Sequence, residues 1–272
     1  MRLPNAPARF RAESAPNRAF AAGTTTEPRL DRTAVEAVAP AESHTPRFEP
    51  KAAVDFVLAA AMLVLAAPVI LVTALLVKLT STGPAFYSQT RVGLRGRVFR
   101  IYKLRTMRHD AEAGTGARWA TSGDPRVTPI GAFLRKTHLD ELPQLWNVLR
   151  GDMALVGPRP ERPEFVKLLV IDVPGYADRL AVRPGVTGLA QVQLPADTCV
   201  ESVRLKLAHD LHYIRHATLW LDVRLMLGTG LKMLHVPFPV SRRLLRIPTG
   251  LAAGPAAAPR ARARAERRPI PA

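Results

Sequence analysis

Twenty-two consecutive residues, Phe56 to Val77, carry apolar side chains interrupted only by Pro68 and Thr73. As a helix this run is about 33 Å long, enough to cross the hydrocarbon core of a bilayer. A soluble core helix rarely stays apolar on every face over such a length. The run starts some fifty residues into the chain without a charged segment and cleavage site around it, so a removable signal peptide is not expected. Pro68 lies near its middle. Proline removes a helical hydrogen bond and its ring clashes with the carbonyl of Val64, which predicts a kink. Both flanks are basic, Arg47 and Lys51 before, Lys78, Arg91, Arg95 and Arg97 after. A straight span puts one basic flank outside, against the positive-inside bias, whereas a helix that dips into one leaflet and returns keeps both on the cytoplasmic side. A kinked span stays open on these grounds.

No other segment is long and apolar enough to cross. Leu219 to Leu234 is amphipathic: Leu219, Trp220, Val223, Leu227, Leu231 and Leu234 recur at helical spacing, with Asp222, Arg224 and Lys232 between them. The pattern suits either a helix in the membrane interface with Trp220 at headgroup level or one packed on a core.

Charge narrows the partners. The chain has 272 residues and a formal net charge of +17. Residues 1–50 contribute +1, residues 51–240 +9, and residues 241–272 +7. The C-terminal stretch has eight arginines among Ala and Pro without apolar periodicity, and reads as a disordered tail serving solubility or tethering to anionic lipid. The Ala/Pro/Thr/Glu-rich residues 1–50 read as a flexible extension. A single cysteine, Cys199, excludes a disulfide scaffold and multi-cysteine metal sites. Neither a P-loop nor a dinucleotide fingerprint is present, and nucleic-acid-binding signatures are missing, so phosphate at a membrane is the expected target of the charge.

In the remaining chain, Phe86–Met107 reads as a β-hairpin turning at Gly93-Leu94-Arg95-Gly96, and His109–Ser122 as a loop. Pro129–His138 reads as a helix. Asp140 is expected to cap the next one, with Glu141 and Pro143 in its first turn and Gly151 closing it. Helix dominates from about Glu201 to Leu234. Asp140-Glu141 reads either as a cap with a first-turn acid or as paired carboxylates converging on a divalent cation, Asp140 being kept ionised by the helix start as a nucleophile requires. Lys103, Arg105, Arg126, Arg135, Lys136 and Arg159 supply cations suited to phosphate oxygens, and Arg159 is pinned between Pro158 and Pro160. Two carboxylates with several arginines are what Mg²⁺-assisted phosphoryl transfer needs. His209, His212 and His216 share one helix face; a zinc site there lacks a further ligand, and a packed or interfacial face is the better reading.

Ser81–Gly93, Tyr102–Met107, Asp124–Thr128, Phe133–Leu149, Gly151–Pro160 and Arg183–Gln191 together resemble the bacterial sugar transferase family of monotopic polyprenyl-phosphate phosphoglycosyl transferases. The resemblance covers about residues 51–235. It implies a re-entrant membrane helix broken at Pro68, and Asp140 attacking the sugar-proximal phosphate of a UDP-sugar. UMP leaves, and polyprenyl (undecaprenyl) phosphate takes the sugar-1-phosphate from a covalent aspartyl intermediate. Glu141 matches the family's Mg²⁺-binding glutamate, with Asp140 beside it. Arg135 and Arg159 match its phosphate-contacting arginines, and Lys103 its basic residue near the dyad. Two departures stand out: Lys51 is followed by Ala52 rather than Arg, and Gln193-Leu194-Pro195 replaces a small residue followed by Gly-Arg.

The resulting expectation is a mainly α fold with a small β-hairpin, a Pro-kinked re-entrant helix and interfacial amphipathic helices. Residues 1–50 form a disordered extension, 51–79 the membrane helix, 80–238 a cytoplasmic catalytic domain and 239–272 a basic disordered tail. The form is the minimal, catalytic-only one. Expected partners are a UDP-sugar, polyprenyl phosphate, membrane lipid and downstream glycosyltransferases, not nucleic acid; a homodimer is open. The expected place is the cytoplasmic face of a bacterial inner membrane, at the first membrane step of exopolysaccharide, capsule, O-antigen or glycoconjugate assembly. The competing readings are a membrane-tethered basic adaptor without catalysis and a nucleotide-sugar hydrolase.

Overall fold

A computed structural model describes residues 49–111, 123–195 and 200–249. The extension at 1–48, most of the 109–122 loop, Cys199 and the tail beyond 249 lie outside the described residues. Helix α1 runs from Glu49 to Thr80, continuous through Pro68. Among the described residues it is the one helix long and apolar enough to cross a membrane, and only 22% of its apolar window is buried. Val64 is 74% and Leu65 77% exposed, too much bare hydrocarbon for a core helix in water.

One stripe of α1 is covered. Ala59 joins a core with Ile101, Leu145, Leu155 and Leu225, and Ala74 and Val77 join a smaller one with Leu104 and Leu134. The same globular body therefore packs against the first and last turns of a helix about 48 Å long if straight. Lys51 strengthens the first contact by pairing with Asp222 at 2.6 Å.

The hairpin forms as expected: β1 (Phe86–Val92) pairs antiparallel with β2 (Val98–Leu104), from Val92 opposite Val98 to Phe86 opposite Leu104. Arg95 (φ 54°) and Gly96 (φ 79°) turn the chain in left-handed conformations. Helix α2 (Pro129–Thr137) is capped by Thr128, whose hydroxyl accepts from the Gly131 amide at 3.0 Å. It ends on His138 in the left-handed region (φ 57°). A 3-10 turn (Leu139–Glu141) leads into α3 (Gln144–Leu149). The expectation that Asp140 caps a helix is corrected. Pro143 opens α3 and Asp140 sits inside the preceding turn, making no capping bond, because the left-handed break at His138 places a separate short turn between the helices.

A second pair of strands escaped sequence reading: β3 (Ala154–Val156) runs parallel to β4 (Gly185–Thr187). Three-residue strands carry no periodicity. Their backbones cross so closely that a Cβ on Gly185 would lie 2.0 Å from the Gly157 nitrogen. Helix α4 (Pro163–Asp172) lies between the two strands in sequence, and α5 (Leu189–Gln193) follows β4. Helices α6 (Val200–His216), α7 (Leu219–Met233) and α8 (Phe238–Leu245) complete the described chain.

Helix α7 buries Leu221, Asp222, Leu225 and Gly228. It leaves Trp220 67%, Leu227 54% and Leu234 75% exposed. The apolar residues noted in the sequence thus form the outward face. Residues 239–249, placed in the expected tail, are ordered: α8 is helical, and Ile247 is buried over Gly228, whose bare Cα leaves room for it. Arg224 and Gln193 hold this segment by donating to the carbonyls of Leu245 and Pro248, both bonds long-range and invisible to local pattern.

Candidate active site

Asp140 and Glu141 are held over the hairpin by Asn147. This fully buried amide accepts from the Tyr102 N–H at 3.1 Å and donates to the Arg100 carbonyl at 2.7 Å, locking α3 to β2. The lock brings Lys103 of β2 to Glu141. Lys103 Nζ donates to Glu141 Oε1 at 2.7 Å. From the opposite side Arg159 Nη2 donates to the same oxygen at 2.7 Å and Nη1 to Oε2 at 3.4 Å. Arg159 follows the Gly157 crossing, and its carbonyl accepts from buried Arg179, itself paired with Asp210 at 2.7 Å and hydrogen-bonded to the Tyr176 hydroxyl.

The two carboxyls have opposite environments. Burial alone would raise Glu141, but Arg159 and Lys103 hold it well below the usual carboxylate range. Asp140 is 7% exposed and has no hydrogen bond or ion pair to any described residue. Burial, with the Glu141 charge, pushes Asp140 up to about 6 against the pull of Lys103, Arg135 and Arg159. The expected role of a helix start in keeping Asp140 ionised finds no capping bond here, and burial makes its carboxyl hold a proton more tightly than a free aspartate does. Such divergence marks two carboxyls with different tasks, one fixed as an anion and one available to react.

Of the other expected residues, Arg135 faces Asp140 electrostatically and donates to Thr106 Oγ1 at 2.8 Å. Arg126 is turned to Asp124, forming a pair with a shortest contact of 2.6 Å. Arg105 is not brought to the dyad. It is buried and donates to the carbonyls of Pro84 (2.7 Å), Thr82 and Ser81 (3.0 Å) and to the Ser81 hydroxyl (3.0 Å), tying the end of α1 to the hairpin. Its expected phosphate-binding role is corrected to a structural one: the chain leaving α1 exposes carbonyls that a guanidinium satisfies. Pro68 lies within α1, away from these residues in sequence. His209 is buried and bonded through Nδ1 to the Leu205 carbonyl at 2.9 Å, while His212 and His216 stack at 4.2 Å. Among the described residues no group of three or more His, Cys, Asp or Glu could hold a metal.

A pocket of about 400 Å³ opens beside Glu141 and Arg159. Its wall is mainly carbon, from Leu142, Leu145, Leu155, Val192 and Met226, with Met62 contributed by α1. His138, Lys206 and Lys232 also line it. Sequence reading missed these three, together with Asn147 and Arg179. Lys232 left a trace as a charge interrupting an apolar helix face, and His138 and Asn147 lie in the Phe133–Leu149 segment without a role assigned to them.

Residues 47–236 match the bacterial sugar transferase family. A UDP-glucose:undecaprenyl-phosphate glucose-1-phosphate transferase of Caulobacter vibrioides is 49% identical over 181 residues, 66% of this chain and 67% of the relative. A UDP-N-acetylgalactosamine-undecaprenyl-phosphate N-acetylgalactosaminephosphotransferase of Aeromonas hydrophila is 45% identical over 179 residues, 66% of this chain but 42% of the relative. An exopolysaccharide production protein of Rhizobium leguminosarum is 41% identical over 185 residues, 66% of this chain and 92% of the relative. The chain thus spans less than half of the Aeromonas relative and two thirds of the Caulobacter one. A clamped glutamate beside an unpaired buried aspartate therefore stands in a chain that belongs to the bacterial sugar transferase family.

Proposed function

We propose that this chain transfers a sugar-1-phosphate from a UDP-sugar to polyprenyl (undecaprenyl) phosphate, with UMP as the other product. The observation that carries this reading is Asp140, a buried carboxylate without a partner beside a glutamate held by two cations. A non-catalytic adaptor gives such a carboxylate no task. Asp140 attacks the sugar-proximal phosphorus, forming an acyl phosphate bond as the bond to UMP breaks and UMP takes the electron pair. An oxygen of polyprenyl phosphate then attacks the same phosphorus, and the aspartyl oxygen leaves as carboxylate. Lys103, Arg135 and Arg159 orient the phosphates and balance charge that builds in each transfer.

Asp140, whose oxygens accept no bond from a described residue, and the Oε2 oxygen of Glu141 would hold Mg²⁺, which takes one or two carboxylates and completes its shell with substrate phosphates and water. Bound there, the ion would neutralise charge on the diphosphate. The relatives' printed donors, UDP-glucose and UDP-N-acetylgalactosamine, are the first sugars to test.

In this reading α1 is re-entrant, bent at Pro68, and the catalytic body sits on the cytoplasmic face of the inner membrane. Support comes from the packing of one globular body against both ends of α1. The exposed apolar faces of α7 and α8, including Trp220, Leu227 and Leu244, suit the interface. The product would start exopolysaccharide, capsule, O-antigen or glycoconjugate assembly, with later glycosyltransferases extending it.

The test is UMP release from UDP-sugars with and without polyprenyl phosphate in nanodiscs. Wild type is expected to release UMP and, with donor alone, to carry a phosphosugar adduct on Asp140 detectable by mass spectrometry. Asp140→Asn and Asp140→Ala are expected to do neither. Full activity in either variant overturns the nucleophile. Donor hydrolysis indifferent to polyprenyl phosphate points instead to a nucleotide-sugar hydrolase.

A further inference from the structure

The pocket beside the dyad holds more cationic than anionic groups. Among the described residues Arg159, Lys206 and Lys232 line it, against Glu141 alone among the acids. Glu141 is already bound by Lys103 and Arg159. Lys232 forms no ion pair within that cluster, although the charges of Arg159 and Glu141 reach it. It projects from α7, the helix whose outward face is bare hydrocarbon, and its ammonium donates to the Gln191 carbonyl at 2.6 Å. An ammonium has three donors. No carboxylate among the described residues lies within ion-pair distance of Lys232. The carbonyl holds the charge at the pocket wall and leaves donors for a ligand.

We propose that Lys232 captures the phosphate of the lipid acceptor at the wall of this pocket. The inference rests on the reading of the chain as a transferase to polyprenyl phosphate. The accessible wall is mostly carbon, from Leu142, Leu145, Leu155, Val192 and Met226 with Met62 of α1, which suits an isoprenoid chain, while Thr187, Gln191 and Thr229 add polar atoms to it. The cations at its edge suit a phosphate monoester. Burial and the neighbouring charges of Arg159 and Lys206 lower the Lys232 pKa, a strain that a dianion in their midst relieves. The acceptor would thus be anchored by its headgroup before it meets the phosphosugar, and its tail would leave along α1 into lipid.

The experiment measures binding of undecaprenyl phosphate to the full chain in nanodiscs, with undecaprenol and UMP as comparison ligands, followed by initial rates at varied donor and acceptor. Lys232→Gln is expected to weaken undecaprenyl phosphate about tenfold or more while leaving undecaprenol alone. In a two-step transfer the same change lowers kcat/KM for the acceptor and not for the donor, and Lys232→Arg restores most of it. Acceptor affinity unchanged in Lys232→Gln overturns the proposal, as does a loss that falls on UMP or on donor kcat/KM instead. A wild-type protein that binds the lipid phosphate through Lys232 yet releases no UMP would refute the transferase reading and leave this site standing.

Discussion

Lys51 and Asp222, 171 residues apart, meet at 2.6 Å where the long apolar helix α1 begins. Asp222 also accepts from the Tyr213 hydroxyl at 2.7 Å, and that hydroxyl reaches the Val156 carbonyl at 3.0 Å, one residue before Gly157 and the Arg159 loop. Lys51 further contacts Asp55 at 3.1 Å. A single ammonium therefore neutralises two buried carboxylates and ties the start of α1 to the strand that leads to the active site.

Replacing that ammonium leaves Asp55 and Asp222 facing each other without a countercharge. Lys51→Met is expected to cost about 3–5 kcal/mol, the usual penalty for removing one partner of a buried pair. Lys51→Arg should retain most of the stability. Thermal unfolding in detergent, read by tryptophan fluorescence, checks both; an unchanged midpoint in Lys51→Met would mean that the pair contributes nothing.

The pH dependence follows from Asp140. Without a cation Asp140 is pushed up to about 6, so kcat/KM for the donor should rise with pH to a plateau, and a cation bound beside Asp140 should move that rise to lower pH. Stability runs the other way. The folded pKa lies above the unfolded value of 3.8, so the native state holds the proton more tightly. Asp140's contribution is complete below about 4 and is lost as pH rises through about 6. Asp140→Asn removes this cost, and at pH 7 should be more stable than wild type by up to about 3 kcal/mol while inactive. Equal melting curves across pH 4–8 for the two proteins would refute the shift.

The local elements could be read from the chain because their signals are local. The hairpin turn, the Thr128-Pro129 start of α2 and the apolar run of α1 each declare themselves within a few residues. The dyad and its cations were legible through the resemblance, but their division of labour was not. That Glu141 is clamped and Asp140 bare depends on Lys103 and Arg159 arriving from 38 and 18 residues away. Arg105 looked like a phosphate ligand because an arginine's charge is visible in a sequence and its backbone partners are not. The departure at Gln193 finds a local reason in the bond to the Pro248 carbonyl, since it helps seat a C-terminal segment that composition made look unstructured.

Arg105 and Arg159 separate structure from chemistry. Arg105→Gln removes a guanidinium bonded to carbonyls at the end of α1 and is expected to cost about 3 kcal/mol of stability. Its kcat/KM per folded enzyme should fall only a few-fold. Arg159→Gln leaves Glu141 with Lys103 and should lower kcat/KM by about 10²–10³, with a smaller change in melting. The inverse pattern, Arg105 governing turnover and Arg159 governing stability, would reverse the two assignments.

The placement of α1 has a direct test at its two ends. Pro50 and Thr80 are both exposed, at opposite ends of the helix, and its terminal turns pack on one globular body through Lys51–Asp222 and through Val77 with Leu104. A helix spanning the bilayer separates its ends by the full hydrocarbon thickness, about 30 Å, so one body could not pack on both without entering lipid. In a Cys199→Ser background, Pro50→Cys and Thr80→Cys should both resist an impermeant maleimide on intact spheroplasts and both react once the membrane is opened. If one position labels in intact spheroplasts and the other does not, α1 spans the membrane, and the packing at one of its ends is lost in the bilayer.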